Sequence, residues 1–144
     1  MGSNRLGRVL NPQSIAVVGA SEDLAKVGGR VIHLLQRSKF RGKVFAVNPR
    51  RASVQGLHCY ESVAAIGEPI DLVVIALPAV EVETQLHRCL EAGIGGVMVL
   101  SAGFAEQDAE GARRQSRLAA LATRYRVPMI GPNCLGIMNG NSGL

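Results

Sequence analysis

The stretch Ile15-Ala16-Val17-Val18-Gly19-Ala20-Ser21, followed by Val27-Gly28-Gly29-Arg30-Val31, decides the fold of this chain. An apolar run that ends in small residues, with more glycines before an amphipathic segment, predicts a buried parallel strand, a tight turn and a helix start. The N–H groups of such a turn and the positive end of the helix can both face an anion. The stretch therefore indicates a phosphate-binding loop, although Ser21 and Leu24 stand where the usual dinucleotide motif has glycine. A turn that merely requires small residues is the alternative.

The rest of the chain alternates between apolar runs and amphipathic segments. Strands are predicted at 15–18, 43–47, 71–76, 96–100 and 127–130, and helices at about 28–38, 80–92 and 109–125. This alternation is typical of a parallel sheet covered on both faces. We therefore predict an α/β, Rossmann-like, doubly wound single domain with a mainly parallel sheet of five or slightly more strands, in the order 3-2-1-4-5.

Apolar spacing also predicts which helical side chains face the sheet. It places Val31, Leu34 and Leu35, with Ile32 beside them, on the inner side of the first helix. On the second helix it places Val80, Leu86 and Leu90 there. Between the second and third strands, residues 56–60 are treated as a connector and residues 62–66 as a short helical patch.

Composition bounds the class of protein. With 144 residues, 47% hydrophobic and 19% charged, the sequence predicts one water-soluble globular domain. No apolar run reaches membrane-spanning length and no signal peptide is visible, so we expect no membrane partner. Cysteine usage indicates a reducing, cytoplasmic setting. Three widely spaced cysteines, Cys59, Cys89 and Cys134, form neither a disulfide framework nor a metal signature.

The net charge of +5 could indicate a nucleic-acid partner, but aromatic residues make up only 3% of the chain. The basic residues are also dispersed, so we expect no nucleic-acid binding and attribute the charge to an anionic ligand and a solvated surface.

Ligands of open parallel sheets bind beyond the carboxyl ends of the strands. Small, polar or proline-containing loops follow each predicted strand there, at 19–21, 48–50, 77–78, 101–103 and 132–134. The second of these loops carries Arg50, is followed directly by Arg51 and has no carboxylate. Because an arginine at that place accommodates a ribose phosphate, the loop favours NADP or coenzyme A (CoA) over NAD. Arginines that only solvate an exposed loop are the alternative.

No catalytic group is assigned. His33, His58 and His87 have no paired carboxylate or nucleophile in the sequence pattern. Cys134 follows a turn at the expected crevice, but no histidine is an obvious partner for its thiol.

Five segments in order carry a family resemblance: VVGASEDLAKVGGRV, KVFAVNPR, DLVVIALPA, VMVLSAGFAE and IGPNCLGIMN. Together they resemble the N-terminal CoA-binding domain of NDP-forming acyl-CoA synthetases. They are more distantly similar to the succinyl-CoA synthetase alpha subunit, and related segments occur in multidomain protein lysine acetyltransferases.

The resemblance implies a set of CoA-binding residues. They would lie along the phosphates (Gly19, Ala20, Ser21, Val27, Gly28), by the adenosine (Asn48, Pro49, Arg50), along the ligand (Pro78) and at the pantetheine and thiol (Ser101, Ala102, Gly103, Asn133). Family members often have lysine where Arg50 stands; both side chains are cationic, but only arginine offers a bidentate fork.

The resemblance also implies the context of the chain. Residues 11–144 would be the CoA-binding domain and 1–10 an N-terminal arm or leader, in a fragment of a longer protein. Further domains, or a beta-type subunit with an ATP-grasp fold, would bring the phosphorylated histidine, ATP or ADP, and Mg. The parent reaction would interconvert acyl-CoA, NDP and phosphate with acid, CoA and NTP, and a homo-oligomer is compatible with it. The chain alone would be inactive. An NADP-binding oxidoreductase domain and a stand-alone CoA- or nucleotide-sensing protein are the alternatives.

Overall fold

The computed structural model describes residues 5–144, which form four α-helices and a seven-stranded sheet. Residues 1–4, part of the expected N-terminal arm or leader, lie outside this range. The helices are α1 (Arg5–Leu10), α2 (Val27–Arg37), α3 (Ala79–Glu91) and α4 (Ala109–Tyr125), with a 3₁₀ turn at Ala64–Ile66. The strands are β1 (Ser14–Val18), β2 (Lys43–Val47), β3 (Ser53–Val54), β4 (Leu57–Tyr60), β5 (Leu72–Ile75), β6 (Val97–Val99) and β7 (Met129–Ile130).

The sheet is mainly parallel, which confirms the predicted α/β class. Its order is β3-β4-β2-β1-β5-β6-β7. The central strand β1 pairs in parallel with β2 on one side and with β5 on the other. Its residue Ile15 lies opposite Val44 of β2 and opposite Leu72 of β5. The antiparallel pair is β3 with β4, a hairpin at one edge. The carboxyl ends of the other strands therefore share one edge of the sheet, where the predicted crevice lies.

The predicted strand order 3-2-1-4-5 is wrong. The five predicted strands correspond, in chain order, to β1, β2, β5, β6 and β7. The third predicted strand, β5, lies beside β1 and not beside β2, so the five predicted strands occur in the order 2-1-3-4-5. The reason is the segment treated as a connector, because residues of β4 pair in parallel with β2, Tyr60 opposite Val47. The outer edge of β2 is thereby occupied, and β5 pairs with the remaining edge of β1.

Each face of the sheet has its own core. Ile15 of β1 packs with Ile32 of α2 on one face. Val18 packs on the other face with Leu86 of α3 and Leu118 of α4. Because successive side chains of a strand point to opposite faces, the continuous apolar run of β1 serves both cores.

The helical stripes that pack on the sheet are narrower than the sequence indicates. Leu35, Leu86 and Leu90 are buried as predicted, whereas Leu34 is 59% and Val80 69% exposed, so their inward assignment was wrong. Ile32 of α2 is buried as predicted, and Val82 of α3, which was not assigned to the inner side, is buried as well. No helix within residues 5–144 is long and apolar enough to cross a bilayer.

Residues 5–10, part of the predicted arm, form α1. Its Val9 is fully buried in the same core as Ile15. A Cβ at Gly96 would lie 2.2 Å from a methyl carbon of Val9, so the helix packs closely against the start of β6.

Candidate functional site

The loop between β1 and α2 is built around two close backbone approaches. Gly19 has a φ of 90°, and a Cβ there would lie 2.3 Å from the Ala76 carbonyl oxygen. A Cβ at Gly28 would lie 2.0 Å from the Gly19 carbonyl oxygen. Because no side chain fits either place, glycine lets the first turn of α2 pack directly on the end of β1.

The N-terminus of α2 is open to an anion. The helix begins at Val27 without a side-chain cap from Lys26 and without an acidic residue in its first turn. The N–H groups of that turn have no acceptor inside the helix, and the helix dipole adds partial positive charge. Ser21 lies in the same loop, where its Oγ accepts a hydrogen bond from the Asp23 N–H at 3.0 Å. Its hydroxyl hydrogen is left to donate.

The loop after β2 is fastened to the loop after β1 through Asn48. The Asn48 amide donates to the Ala20 carbonyl oxygen at 2.8 Å, and its Oδ1 accepts from the Arg50 N–H at 2.9 Å. The neighbouring Arg50 side chain is exposed, and no ion pair involves it within residues 5–144. Within residues 5–144, no hydrogen bond or ion pair commits its guanidinium, and its backbone is linked through Asn48 to the β1–α2 loop.

Ser101 ties together the loops after β5, β6 and β7. This residue is 8% exposed. Its Oγ accepts from the Leu77 N–H at 3.2 Å, and its carbonyl oxygen accepts from the Asn133 N–H at 3.0 Å. A single buried residue thus sets the relative position of three loop ends.

In the loop after β6, backbone N–H groups donate to the carboxylate of a residue in the same loop, Glu106. The Glu106 carboxylate accepts from the N–H groups of Gly103 at 2.6 Å and Phe104 at 3.1 Å. Hydrogen bonds from Phe104 and then Gly103 hold the pKa of the Glu106 carboxyl below its ordinary value, since they favour the charged form.

All the predicted site residues lie at the carboxyl edge of the parallel strands. Ala20, Gly28 and Ser101 are buried; Gly19, Ser21, Asn48 and Gly103 are partly exposed; Val27, Pro49, Arg50, Pro78, Ala102 and Asn133 are exposed. Hydrogen bonds join the loops after β1 and β2 into one group, and those after β5, β6 and β7 into another. The two groups meet where Gly19 packs on Ala76.

Sequence analysis missed Gln55, which belongs to the first group. It lies in the turn between β3 and β4, and its backbone N–H donates to the Glu22 carboxylate at 2.6 Å. The hairpin was treated as loop and connector, so its turn was not considered. A glycine at position 56, between one short apolar run ending at Val54 and another beginning at Leu57, is a signal for a hairpin turn and could have revealed it.

The expectation that no histidine has a paired carboxylate is wrong for His87, whose Nδ1 lies 3.6 Å from a Glu91 carboxylate oxygen one helical turn away. The His58 ring packs edge-on against Tyr60 with centroids 4.9 Å apart, and the His87 ring packs in the same way on Tyr125. Burial raises the pKa of the Cys89 thiol to about 12. Within residues 5–144, no group of three or more His, Cys, Asp or Glu side chains could hold a metal ion.

Comparison with known proteins supplies the family. The description of the matching family is a CoA binding domain, and the match covers residues 13–140. The chain belongs to this CoA-binding domain family.

Two relatives and one solved structure show where this CoA-binding domain occurs. The chain is 42% identical over 93% of its length to the alpha subunit of ADP-forming acetate–CoA ligase II of Pyrococcus furiosus, and covers 29% of that protein. It is 38% identical over 95% of its length to a trans-feruloyl-CoA synthase of an unknown prokaryotic organism, and covers 19% of it. It also superposes with a TM-score of 0.91 on acetyl-coenzyme A synthetase 1 of Candidatus Korarchaeum cryptofilum in complex with phosphate and ADP. That match has 33% identity and covers 96% of this chain and 30% of the other.

These matches confirm the resemblance to the CoA-binding domain of NDP-forming acyl-CoA synthetases. The CoA-binding domain described here spans less than a third of each of the three proteins. The individual CoA contacts stay predictions.

Proposed function

We propose that this chain binds CoA along the carboxyl edge of its sheet, as the CoA-binding domain of an ADP-forming acyl-CoA synthetase. The observation that carries the proposal is the N-terminus of α2, which has no side-chain cap and packs against Gly19 through Gly28, near the exposed Arg50. A dinucleotide or CoA diphosphate needs such a positive, sterically open turn.

The diphosphate lies at the first turn of α2 in this proposal. Its oxygens accept hydrogen bonds from the N–H groups of Val27 and Gly28 and from the Ser21 hydroxyl. Gly19 and Ala20 shape the floor of the loop, because small residues permit close approach of the phosphates.

The adenosine end lies over the loop after β2. Asn48 and Pro49 border the nucleoside, and Arg50 meets the 3′-phosphate. Asn48 is committed to Ala20 and to its own loop, so it positions Arg50 relative to the diphosphate site and need not touch the ligand itself.

The pantetheine arm runs toward the second group of loops, past Pro78 to Ala102, Gly103 and Asn133. Ser101 is buried and fixes these loops through its bonds to Leu77 and Asn133. The thiol then ends at the loops after β6 and β7, where an acyl group would be transferred.

The rest of the reaction belongs to other parts of the synthetase. A phosphorylated histidine and an ATP-grasp domain or subunit, with ATP or ADP and Mg, supply the activated acyl group. The two relatives above have similar sequence identity to this chain, but their names point to different acyl groups, acetyl in one and trans-feruloyl in the other. This supports the view that the CoA-binding domain is not what selects the acyl group.

The test is calorimetric titration of the purified chain with CoA, dephospho-CoA and NADP. We expect CoA to bind most tightly, dephospho-CoA more weakly and NADP weakest. NADP has no pantetheine arm and so cannot contact the loops after β5, β6 and β7 in the same way. Tighter binding of NADP than of CoA would replace the proposal with a nicotinamide-nucleotide site. Absence of binding by all three ligands to the folded chain would refute it outright.

A further inference from the structure

The turn of the β3–β4 hairpin holds a non-glycine residue in a disfavoured backbone conformation. Gln55 has a φ of 48° and the following Gly56 a φ of 80°. Two successive left-handed residues form the tight turn that suits a hairpin, but a side chain in this region is strained. Contacts elsewhere must hold the glutamine in place.

The Gln55 side chain makes those contacts with the β1–α2 loop. Its Nε2 donates one hydrogen bond to the Ser21 carbonyl oxygen at 2.9 Å and another to the Gly29 carbonyl oxygen at 2.9 Å. These two carbonyls lie at opposite ends of the segment 21–29. One amide nitrogen therefore bridges the point where the chain leaves β1 and the first turn of α2.

The Gln55 backbone reinforces the same attachment. Its N–H donates to the Glu22 carboxylate at 2.6 Å, and its carbonyl oxygen accepts from the Gln36 amide of α2 at 3.0 Å. Both polar groups of the backbone and both side-chain hydrogens are thus committed to the loop and its helix.

We propose that Gln55 is a positioning residue that holds segment 21–29 in the conformation able to bind the CoA diphosphate. The inference rests on the proposed function and deepens it. Gln55 acts from behind the loop through the carbonyls of Ser21 and Gly29, which leaves the N–H groups of Val27 and Gly28 to face the ligand.

Glutamine suits this role for chemical reasons. Its planar amide carries two hydrogens on one nitrogen, which matches two carbonyl acceptors. Glutamate would place an oxygen against both carbonyls, and methionine has similar length but no donor. Without the bridge, the binding-competent loop is only partly populated, and the apparent dissociation constant rises in inverse proportion to that population.

The effect should not depend on the 3′-phosphate. Arg50 is placed by the separate hydrogen bonds of Asn48 to Ala20 and to the Arg50 N–H, which do not involve the Gln55 side chain. Loss of the bridge should therefore weaken CoA and dephospho-CoA by the same factor.

The experiment compares Gln55→Met with the matched control Gln36→Met, which removes one hydrogen bond to the same hairpin but keeps the bridge. Both are titrated with CoA and dephospho-CoA well below their melting temperatures, and amide hydrogen exchange is followed across 21–29. For Gln55→Met we expect both ligands to bind about five- to tenfold more weakly, the loss of one or two net hydrogen bonds, with faster exchange in the segment. Gln36→Met should stay within about twofold of wild type.

A second variant separates positioning from stability. Gln55→Gly relieves the left-handed strain and should keep the melting temperature, yet it lacks the amide and should lose affinity like Gln55→Met. Unchanged affinity in both Gln55 variants, a loss confined to CoA, or an equal loss in Gln36→Met would overturn the inference while the CoA-binding proposal stood. If wild type bound no CoA, the proposed function would fall, and unchanged exchange across 21–29 in Gln55→Met would separately remove Gln55 from its role.

Discussion

Replacing Arg50 by alanine should weaken CoA binding about tenfold and leave the affinity for dephospho-CoA nearly unchanged. The two ligands differ only in the 3′-phosphate, which we place at the Arg50 guanidinium. The substitution therefore removes a contact that only one of them can make.

The magnitude follows from the surroundings of Arg50. A charge-assisted hydrogen bond contributes about 1.5–3 kcal/mol when well formed. The side chain is exposed, so solvent screening favours the lower end of that range, near the roughly 1.4 kcal/mol that corresponds to tenfold in affinity. Binding breaks no existing ion pair, because Arg50 has none within residues 5–144.

The assay is a ligand-by-variant cycle measured by calorimetry. Wild type and Arg50→Ala are each titrated with CoA and dephospho-CoA, and the coupling free energy isolates the contact with the 3′-phosphate. Arg51→Ala is the matched control, since its neighbouring side chain is also exposed and is expected to lie in solvent. Arg50→Lys should retain part of the discrimination, because charge remains but the bidentate fork is lost.

Equal losses for both ligands in Arg50→Ala would show that Arg50 does not meet the 3′-phosphate. A loss of discrimination in Arg51→Ala alone would move that contact to Arg51.

Three further predictions concern the loops and the isolated chain. Gly28→Ala places a Cβ 2.0 Å from the Gly19 carbonyl oxygen, so CoA binding should be lost and the free energy of unfolding lowered by about 1–3 kcal/mol. Gly140→Ala, with nothing within 4 Å, should change neither, and equal behaviour of the two would contradict the packing argument. Glu106→Gln should lower the melting temperature at neutral pH, because the lowered pKa of Glu106 means that its carboxylate stabilises the fold above the unfolded pKa. This difference should disappear as the pH falls through the folded pKa; one that persisted or grew in acid would contradict it. Finally, incubation of the chain with acetate, CoA, ATP and Mg should consume no free thiol over hours, and turnover beyond one thiol per chain would show a complete enzyme.

Elements with strong local patterns could be predicted from the sequence. The predicted strand 43–47 is β2 residue for residue, and the predicted helix 109–125 is α4. The Asp108 side chain caps that helix by accepting from the Gly111 N–H at 2.7 Å. Such signals are local, because a helix cap and a short apolar run are encoded by adjacent residues.

The strand order could not be predicted, because it depends on a short pairing between distant residues. β4 meets β2 at Cys59 opposite Ala46 and Tyr60 opposite Val47. Its apolar pattern is too short to separate a strand from a connector, and without it the outer edge of β2 looks available to β5.

The candidate loops could be predicted from turn chemistry, but the residues that hold them could not. Asn48 and Ser101, which are predicted to lie at the ligand, also use their side chains to join loops. Gln55 lies 34 residues from its acceptor Ser21, and nothing near either residue in the sequence indicates the contact. Sequence patterns thus indicate which small residues a ligand could approach. The hydrogen bonds that hold these loops join distant residues and become visible only in the folded structure.

The two edge strands of the sheet are each only two residues long: β3 is Ser53–Val54 and β7 is Met129–Ile130. An edge strand this short exposes too few unpaired backbone groups to template an added strand from another chain. Short edge strands of this kind favour contacts with other chains through helices and loops over continuation of the sheet. The same brevity protects the domain against edge-to-edge aggregation when it is produced on its own.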